Sequence, residues 1–126
     1  MAVKLEVYKC EMCGNEVEVL KGGMGELVCC GQPMTLMAPK IEDAGMEKHL
    51  PVVEATDAGV KVTVGSVPHP MEDGHFIQWI AVVTNSRVHR KFLEPGAPAE
   101  AEFATTCKVR EVRSYCNLHG LWSTKL

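Results

Sequence analysis

The chain has 126 residues, of which 46% are hydrophobic, and its formal net charge at pH 7 is -3. These values are typical of a small globular protein, and they exclude a disordered chain and a strongly basic nucleic-acid-binding protein. No apolar run approaches the roughly 18 residues of a membrane span, and the start MAVKLEVYKCEMC lacks the apolar region of a signal peptide. We therefore expect a cytoplasmic protein that binds neither nucleic acid nor membrane.

The first part of the chain, residues 1–36, contains four of the six cysteines and too few apolar residues to form a core. In a reducing cytoplasm, clustered cysteines are more often metal ligands than disulfides. A module this short needs a staple such as a metal ion, and its cysteines can supply one. The segment MAPKIEDAG then reads as a linker at the start of a second domain, residues 37–126.

The second part of the chain has the pattern of β-strands. In GVKVTV, valines alternate with polar residues, and FIQWIAVV is a run of β-branched and aromatic residues typical of a buried strand. SRVHRKFL and AEFATTCKVR continue the series, with TNS and EPGAP as breaks. Short strands separated by Pro/Gly turns predict a mainly β fold with an antiparallel sandwich.

The first candidate metal site combines Cys10-x-x-Cys13 with the adjacent pair Cys29-Cys30. Four thiolates in one small module are typical of a tetrahedral site for zinc or for a single iron, and the spacing alone does not separate the two metals. The adjacent pair predicts a distorted site, because two neighbouring side chains must turn onto one ion. A structural zinc ribbon and a pair of disulfides are the alternatives.

The second candidate site starts from the segment YCNLHG, which holds Cys116 and His119 and needs further partners. His49, His69 and His75 are the candidates, and prolines on both sides of His69 reduce the entropy of holding its imidazole in place. Four imidazoles and a thiolate exceed the usual coordination of structural zinc, whereas iron accepts five ligands and leaves a sixth position open. Such a site carries a net positive charge with iron bound and should attract a small anion.

Two further residues of ligand type are excluded from both sites. His89 alternates with Arg87 and Lys91 along a predicted strand, which places it on a polar, solvated face. Cys107 has the strand parity of Phe103 and Val109, the pattern of a small core residue.

At these residues the sequence resembles the desulfoferrodoxin family of two-iron superoxide reductases. YKCEMCGN and GELVCCGQPM resemble the desulforedoxin-like module of the family, and MEKHLPV, VGSVPHPM, HFIQWI and YCNLHGLW resemble motifs of its catalytic domain in the same order. The resemblance implies an immunoglobulin-like sandwich after the module, a homodimer, and two irons per chain. It implies a rubredoxin-like iron bound by Cys10, Cys13, Cys29 and Cys30, and a second iron bound by His49, His69, His75, Cys116 and His119.

The resemblance also implies an activity, the one-electron reduction of superoxide to hydrogen peroxide without release of dioxygen, with rubredoxin or a similar small carrier as electron donor. Glu47 matches a carboxylate that occupies the sixth position of the oxidised iron, and Lys48 matches a lysine that attracts superoxide. Ser114 departs from the pattern, where a glutamate is expected, and this affects hydrogen bonding near the thiolate. The alternatives are a non-catalytic two-iron electron carrier and a zinc-ribbon interaction module.

Overall fold

The computed structural model describes residues 2–42, 49–66 and 68–126. In these ranges the chain forms β-strands and no helix, and it divides into two compact units, Met1–Ala38 and Pro39–Leu126. A helix long and apolar enough to cross a membrane is absent from the part of the chain that the structure describes.

The first unit contains five short strands and very little core. Its strands are β1 Val7–Lys9, β2 Glu16–Glu18, β3 Val28–Cys29, β4 Gln32–Pro33 and β5 Thr35–Leu36. They form a three-stranded sheet in the order β2-β1-β5 and a separate β3-β4 hairpin. Only Val7, Cys10 and Val19 are buried among its described hydrophobic residues. So small a core leaves the unit dependent on a further cross-link for its stability.

The second unit is an antiparallel sandwich of two sheets. Its strands are β6 Pro51–Ala55, β7 Gly59–Val64, β8 Ile77–Val83, β9 Val88–Phe92, β10 Glu100–Ala104, β11 Glu111–Cys116 and β12 Gly120–Lys125. One sheet has the order β10-β7-β6 and the other the order β12-β11-β8-β9. The chain changes sheet after β7, β9 and β10, as in the Greek-key connections of immunoglobulin-like sandwiches. The predicted fold class is confirmed.

The core of the second unit lies between the two sheets. β7 contributes Val62 and Val64, and β8 and β11 contribute Ile80, Val82 and Val112, all of which are fully buried. The alternation of valines in GVKVTV and the apolar run of FIQWIAVV therefore have the origin that the sequence predicts, because one or both faces of each strand are buried.

One end of the sandwich collects all the segments that carry candidate ligands of the second site. The register pairs Pro51 at the start of β6 with Val64 at the end of β7, and Cys116 at the end of β11 with Gly120 at the start of β12. Cys116 also pairs with Ile77, where a bulge at Gln78 shifts the register between β8 and β11. Bulges of this kind re-aim side chains next to functional sites.

The prediction that Cys107 is a core residue is wrong. β10 ends at Ala104, and Cys107 is exposed in the segment between β10 and β11. The Thr105 hydroxyl accepts a hydrogen bond from the Cys107 amide at 3.1 Å, a local side-chain turn that ends the strand and its alternation. Cys107 lies outside both donor clusters of the described residues, as predicted.

The prediction that His89 lies on a solvated face is also wrong. Arg87 and Lys91, which have the same strand parity, are exposed, whereas His89 is half-buried. The His89 ring lies 6.4 Å from the ring of Phe103, which belongs to the other sheet. Packing across the sandwich, rather than strand parity alone, thus sets its burial. His89 is absent from both donor clusters of the described chain.

Lys40, which belongs to the predicted linker, is hydrogen-bonded to the second unit. Lys40 donates its backbone N–H to the carbonyl of Leu121 and accepts a bond from the amide of Ser123, each at 2.9 Å. These bonds fix Lys40 beside β12, in a parallel bridge with Trp122.

Candidate metal centres

The first donor set brings four cysteine sulfurs together in the first unit. The ligand atoms of Cys10, Cys13, Cys29 and Cys30 all lie within 4.8 Å of one another. The Sγ atoms of Cys13 and Cys29 are 3.6 Å apart, and those of Cys29 and Cys30 are 3.9 Å apart. A tetrahedron of thiolates with metal–sulfur bonds of about 2.3 Å has sulfur–sulfur distances of about 3.8 Å. The cluster therefore has the dimensions of a tetrahedral metal site.

A tight hairpin explains how two adjacent cysteines reach one ion. Cys29 is the last residue of β3, and the two-residue turn Cys30–Gly31 leads into β4. Both turn residues have positive φ, 53° at Cys30 and 74° at Gly31, as a type I′ turn requires. Successive side chains of a regular strand point to opposite faces, and the left-handed conformation of Cys30 removes that alternation. This turn lets the two adjacent side chains point toward one ion, and the predicted distortion of the tetrahedron stays a prediction.

Backbone amides prepare the other half of the cluster for negative charge. The amide of Cys13, together with that of Met12, donates to the Cys10 sulfur and lowers the pKa of the Cys10 thiol to about 6. In the hairpin half of the cluster, the Asn15 side chain donates to the Cys29 sulfur at 3.7 Å, although the neighbouring sulfurs of Cys10 and Cys13 raise the pKa of the Cys29 thiol overall. A metal ligand must be a thiolate, so donors that favour the charged form favour metal binding.

The second donor set contains four imidazoles arranged as a square. Neighbouring ring centres around the square, in the order His49, His69, His75 and His119, are 4.7 to 5.0 Å apart, with the rings steeply inclined to one another. The diagonal from His49 to His75 is 6.4 Å. Half of that diagonal leaves room for a metal–nitrogen bond of about 2.1 Å between the ring and a central ion.

Two of the ring nitrogens are available to face that centre. The Nδ1–H of His69 donates to the carbonyl of Pro70 at 2.7 Å, which assigns its Nε2 as the ligand. The Nε2 atoms of His69 and His75 are buried and have no hydrogen-bond partner within the described chain. Burial lowers the pKa of His69 to about 4, so its imidazole is neutral at pH 7. Buried, neutral and unpaired nitrogens are the expected state of ligands whose partner is a metal ion.

The thiolate of Cys116 completes the set from the interior side. Cys116 is fully buried, and its Sγ lies 3.7 Å from Nδ1 of His119, which is itself 3.0 Å from Nε2 of His49. The three-residue turn 117–119 connects β11 to β12 and ends at Gly120, whose φ of 81° is the left-handed conformation that closes such hairpins. Burial raises the pKa of the Cys116 thiol, and the backbone amides of His119 and Leu118 oppose this increase.

Asn117 is a positioning residue that the sequence did not reveal. Its side-chain oxygen accepts a hydrogen bond from the amide of Phe76 at 2.9 Å, and its side-chain nitrogen donates to the carbonyl of Gly74 at 3.1 Å. These residues flank His75. Asn117 therefore holds the loop that carries His75 against the segment that carries Cys116 and His119.

We expect Asn117→Ala to weaken iron retention at the second site by about 10-fold to 100-fold, the usual effect of removing a group that orients a metal ligand. The loss of two hydrogen bonds should also lower the free energy of unfolding of the second unit by about 2 kcal/mol. Dialysis against a graded series of chelator concentrations measures the first effect, and thermal denaturation measures the second. Asn85→Ala, at an exposed turn between β8 and β9, is the matched control, and equal iron loss from both variants would contradict the role of Asn117.

Ser114, the departure from the family pattern, is connected to the ligand-bearing segment instead of the thiolate. Its hydroxyl donates to the carbonyl of His49 at 3.1 Å, and its side chain is fully buried. It therefore links β11 to the backbone of a ligand residue.

Glu47 and Lys48 lie outside the described residues, so their predicted roles stay predictions.

The family comparisons cover both units. The desulfoferrodoxin family model matches residues 41–125, and the model of the desulfoferrodoxin N-terminal domain matches residues 2–37. The chain belongs to the desulfoferrodoxin family. The desulfoferrodoxin of Syntrophotalea carbinolica is 58% identical over 125 residues, 99% of each chain, and the desulforedoxin of Megalodesulfovibrio gigas is 59% identical over 34 residues, 27% of this chain and 92% of its own. The solved superoxide reductase of Treponema pallidum superposes with a TM-score of 0.82 at 31% identity, covering 98% of this chain and 100% of its own.

Membership of the desulfoferrodoxin family decides between the metals that the first site left open. The four-cysteine set and the set of four histidines and one cysteine match the two iron sites of two-iron superoxide reductases. The prediction of two irons per chain is confirmed. Both donor sets fit iron chemically, since thiolate and imidazole are ligands that iron accepts in proteins.

Proposed function

We propose that the protein is a superoxide reductase, which reduces superoxide by one electron to hydrogen peroxide and releases no dioxygen. The observation that carries this proposal is the square of four imidazoles with a buried thiolate on its interior side. Five donors leave one coordination position of an octahedral ion for a substrate. The relatives support the activity, because the Treponema pallidum protein of the same overall structure is a superoxide reductase.

The residues of the second site have separable roles in this reaction. Iron, when bound, supplies the electron, and the thiolate of Cys116 increases its electron density. The neutral imidazoles and the single thiolate leave the ferrous site with a formal charge of +1, which attracts an anion. Cys116 is fully buried whereas His119 is exposed, so a small anion would reach the donor set from the side of His119.

Rapid mixing of the anaerobically reduced protein with superoxide, followed by optical spectra and a peroxide assay, tests the proposal. We expect oxidation of the second site and one peroxide per superoxide consumed, with no dioxygen. Release of dioxygen at half the rate of superoxide loss would indicate dismutation and would reject the proposal. Azide binding to the oxidised second site separates an enzyme from a pure electron carrier, in which both irons are saturated and bind no added anion.

The roles of the residues before His49 are part of the same proposal. We infer that Lys48 attracts superoxide and helps to deliver protons, and that Glu47 occupies the open position of the oxidised iron. The support is their place immediately before a ligand, in the motif MEKHLP. The net charge of -3 repels an anion from the molecule as a whole, so fast capture requires a local positive field.

Replacing Lys48 with isoleucine should slow the second-order reaction with superoxide by about 10-fold, at the low end of the effect of a focused field, because the charge of the iron remains. The rate of the parent protein should fall as salt rises, since the Debye length is about 10 Å at 0.1 M ionic strength, and the variant should lose most of this dependence. Stopped-flow or pulse-radiolysis rates at several salt concentrations measure both effects. Lys108→Ile, which removes the same charge from an exposed segment, should react at the parent rate. A parental rate and salt dependence in Lys48→Ile would show that the residue does not attract superoxide.

The organisation of the protein completes the proposal. Residues 1–36 form a desulforedoxin-like iron module, and residues 37–126 form the catalytic domain. The division of the chain into two compact units, with a boundary between Ala38 and Pro39, supports this organisation. Cys13 and Cys30 are exposed, which suits electron exchange at the first iron with rubredoxin or a similar small carrier. We propose that the protein acts in the cytoplasm as a homodimer, and light scattering after size-exclusion chromatography tests the dimer.

A further inference from the structure

Lys40 contacts one ligand of the second site directly and is linked to a second ligand through Trp122. Its Nζ donates a hydrogen bond to the carbonyl of His119 at 2.9 Å and lies 5.1 Å from the centre of the Trp122 ring. The Trp122 ring in turn stacks on the imidazole of His49, with ring centres 4.5 Å apart and planes inclined by 13°. One side chain thus touches His119 directly and His49 through the indole.

The position of Lys40 differs from that of an ordinary exposed lysine. Its backbone is held against β12 by the two hydrogen bonds to Leu121 and Ser123, so the start of its side chain is fixed. A lysine normally loses considerable side-chain entropy when its ammonium group is placed, and a fixed backbone with a carbonyl and an aromatic ring as partners offsets part of that loss.

The charge of Lys40 acts on the same donor set. Its ammonium group is 2.9 Å from the carbonyl of His119, whose imidazole belongs to that set, and 5.1 Å from the centre of the ring that stacks on His49. A nearby positive charge stabilises a site more in its less positive state, which for bound iron is the ferrous state. It also attracts anions to the exposed side of the site.

We propose that Lys40 is a positioning and electrostatic residue of the second site. It holds the Cys116–His119 turn and the stack of Trp122 on His49, raises the reduction potential of the bound iron, and adds to the field that attracts anions. The last of these effects rests on the proposed function, whereas the first two require only that iron is bound. No family motif quoted above includes Lys40.

Three substitutions separate charge from hydrogen bonding. Lys40→Met removes both, Lys40→Gln keeps a donor for the His119 carbonyl without the charge, and Lys40→Arg keeps both. Lys125→Met is the matched control, because Lys125 is exposed at the far end of β12, the strand beside which Lys40 lies. At about 3.4 Å per residue it is roughly 17 Å from Gly120, which adjoins the ligand His119. The readouts are the midpoint potential of the second iron, iron retention against chelator, and azide binding to the oxidised protein at low and high salt.

We expect Lys40→Met and Lys40→Gln to shift the ferrous–ferric equilibrium about threefold toward the ferric state, a fall of roughly 30 mV at 59 mV per tenfold for one electron. The shift is modest because Lys40 is exposed and screened by solvent. Azide affinity should fall about threefold at low salt and converge with that of the parent at high salt. Only Lys40→Met should also lose iron more readily, and Lys40→Arg and Lys125→Met should match the parent in all three measurements.

A parental potential in Lys40→Met and Lys40→Gln would overturn the electrostatic role, and so would an equal shift in Lys125→Met. Parental iron retention in Lys40→Met would overturn the positioning role. None of these measurements uses superoxide. A protein that fails to reduce superoxide but shows the expected shifts would reject the proposed function and leave the roles of Lys40 in place, whereas an active protein without the shifts would reject those roles alone.

Discussion

Cys116→Ser should abolish the sulfur-to-iron charge-transfer band of the second site and slow the reaction with superoxide by more than about 100-fold, beyond the roughly 10-fold to 100-fold effect of altering a group that only orients a ligand. Serine is close to cysteine in size, so the fully buried position at the end of β11 should still pack. A hydroxyl is a weaker electron donor than a thiolate, so release of peroxide should be impaired as well. Optical spectra of the oxidised protein and rapid mixing with superoxide provide the measurements.

The matched control for this prediction is Cys107→Ser, which removes an exposed thiol outside both donor clusters of the described chain. Its spectrum and rate should be those of the parent. An unchanged charge-transfer band in Cys116→Ser would mean that Cys116 is not a ligand. Iron content must be measured in each variant, because loss of the metal would remove the band without testing the thiolate.

Cys13→Ser should remove the rubredoxin-like visible absorption of the first iron and destabilise the first unit. Apparent binding free energies of structural metal sites are about 10–16 kcal/mol for zinc, and a small unit with three buried hydrophobic residues among those the structure describes has little else to stabilise it. The second unit has its own core between two sheets, so superoxide reduction by the pre-reduced variant should continue at nearly the parent rate. Visible spectra, thermal denaturation and single-turnover kinetics measure the three effects.

Loss of the superoxide reaction in a Cys13→Ser protein that is folded and still carries the second iron would show that the first site is needed for the chemistry itself. The same Cys107→Ser variant controls for the removal of a thiol. Slower turnover with an external electron donor, beside an unchanged single turnover, would instead assign the first iron to electron supply.

The four-cysteine set and the sandwich could be predicted because both depend on local patterns, whereas the full set of four histidines and one cysteine came from the family resemblance. The Cys10-x-x-Cys13 spacing and the alternation of Val60, Val62 and Val64 are visible in a few residues. The same reasoning failed at Cys107, because strand parity has meaning only while a strand continues, and the turn at Thr105 ends it. It also could not foresee the left-handed backbone of Cys30, although the need for a distortion there was evident.

The roles of Asn117 and Lys40 could not be predicted from the sequence for a different reason. Asn117 bonds to Gly74, which is 43 residues earlier, and Lys40 bonds to the carbonyl of His119, which is 79 residues later. Both partners are backbone carbonyls, which every residue has, so no residue type marks them. Only the register of β11 against β8 and the bridge between Lys40 and Trp122 bring these groups together.

The distances along the chain between the ligands also determine when the second site can exist. His49 and His119 are 70 residues apart in sequence, yet their ring nitrogens are 3.0 Å apart in the folded chain. Contacts between such distant residues form late in folding, because the entropy of closing a long loop must first be overcome. The strand pairs β6–β7, β8–β9 and β11–β12 are closer in sequence, so we expect them to form before the five donors converge. We therefore expect iron to bind the second unit after most of its sandwich has formed. In the cysteine module the ligands are 20 residues apart or fewer, so the ion can organise the polypeptide as it folds.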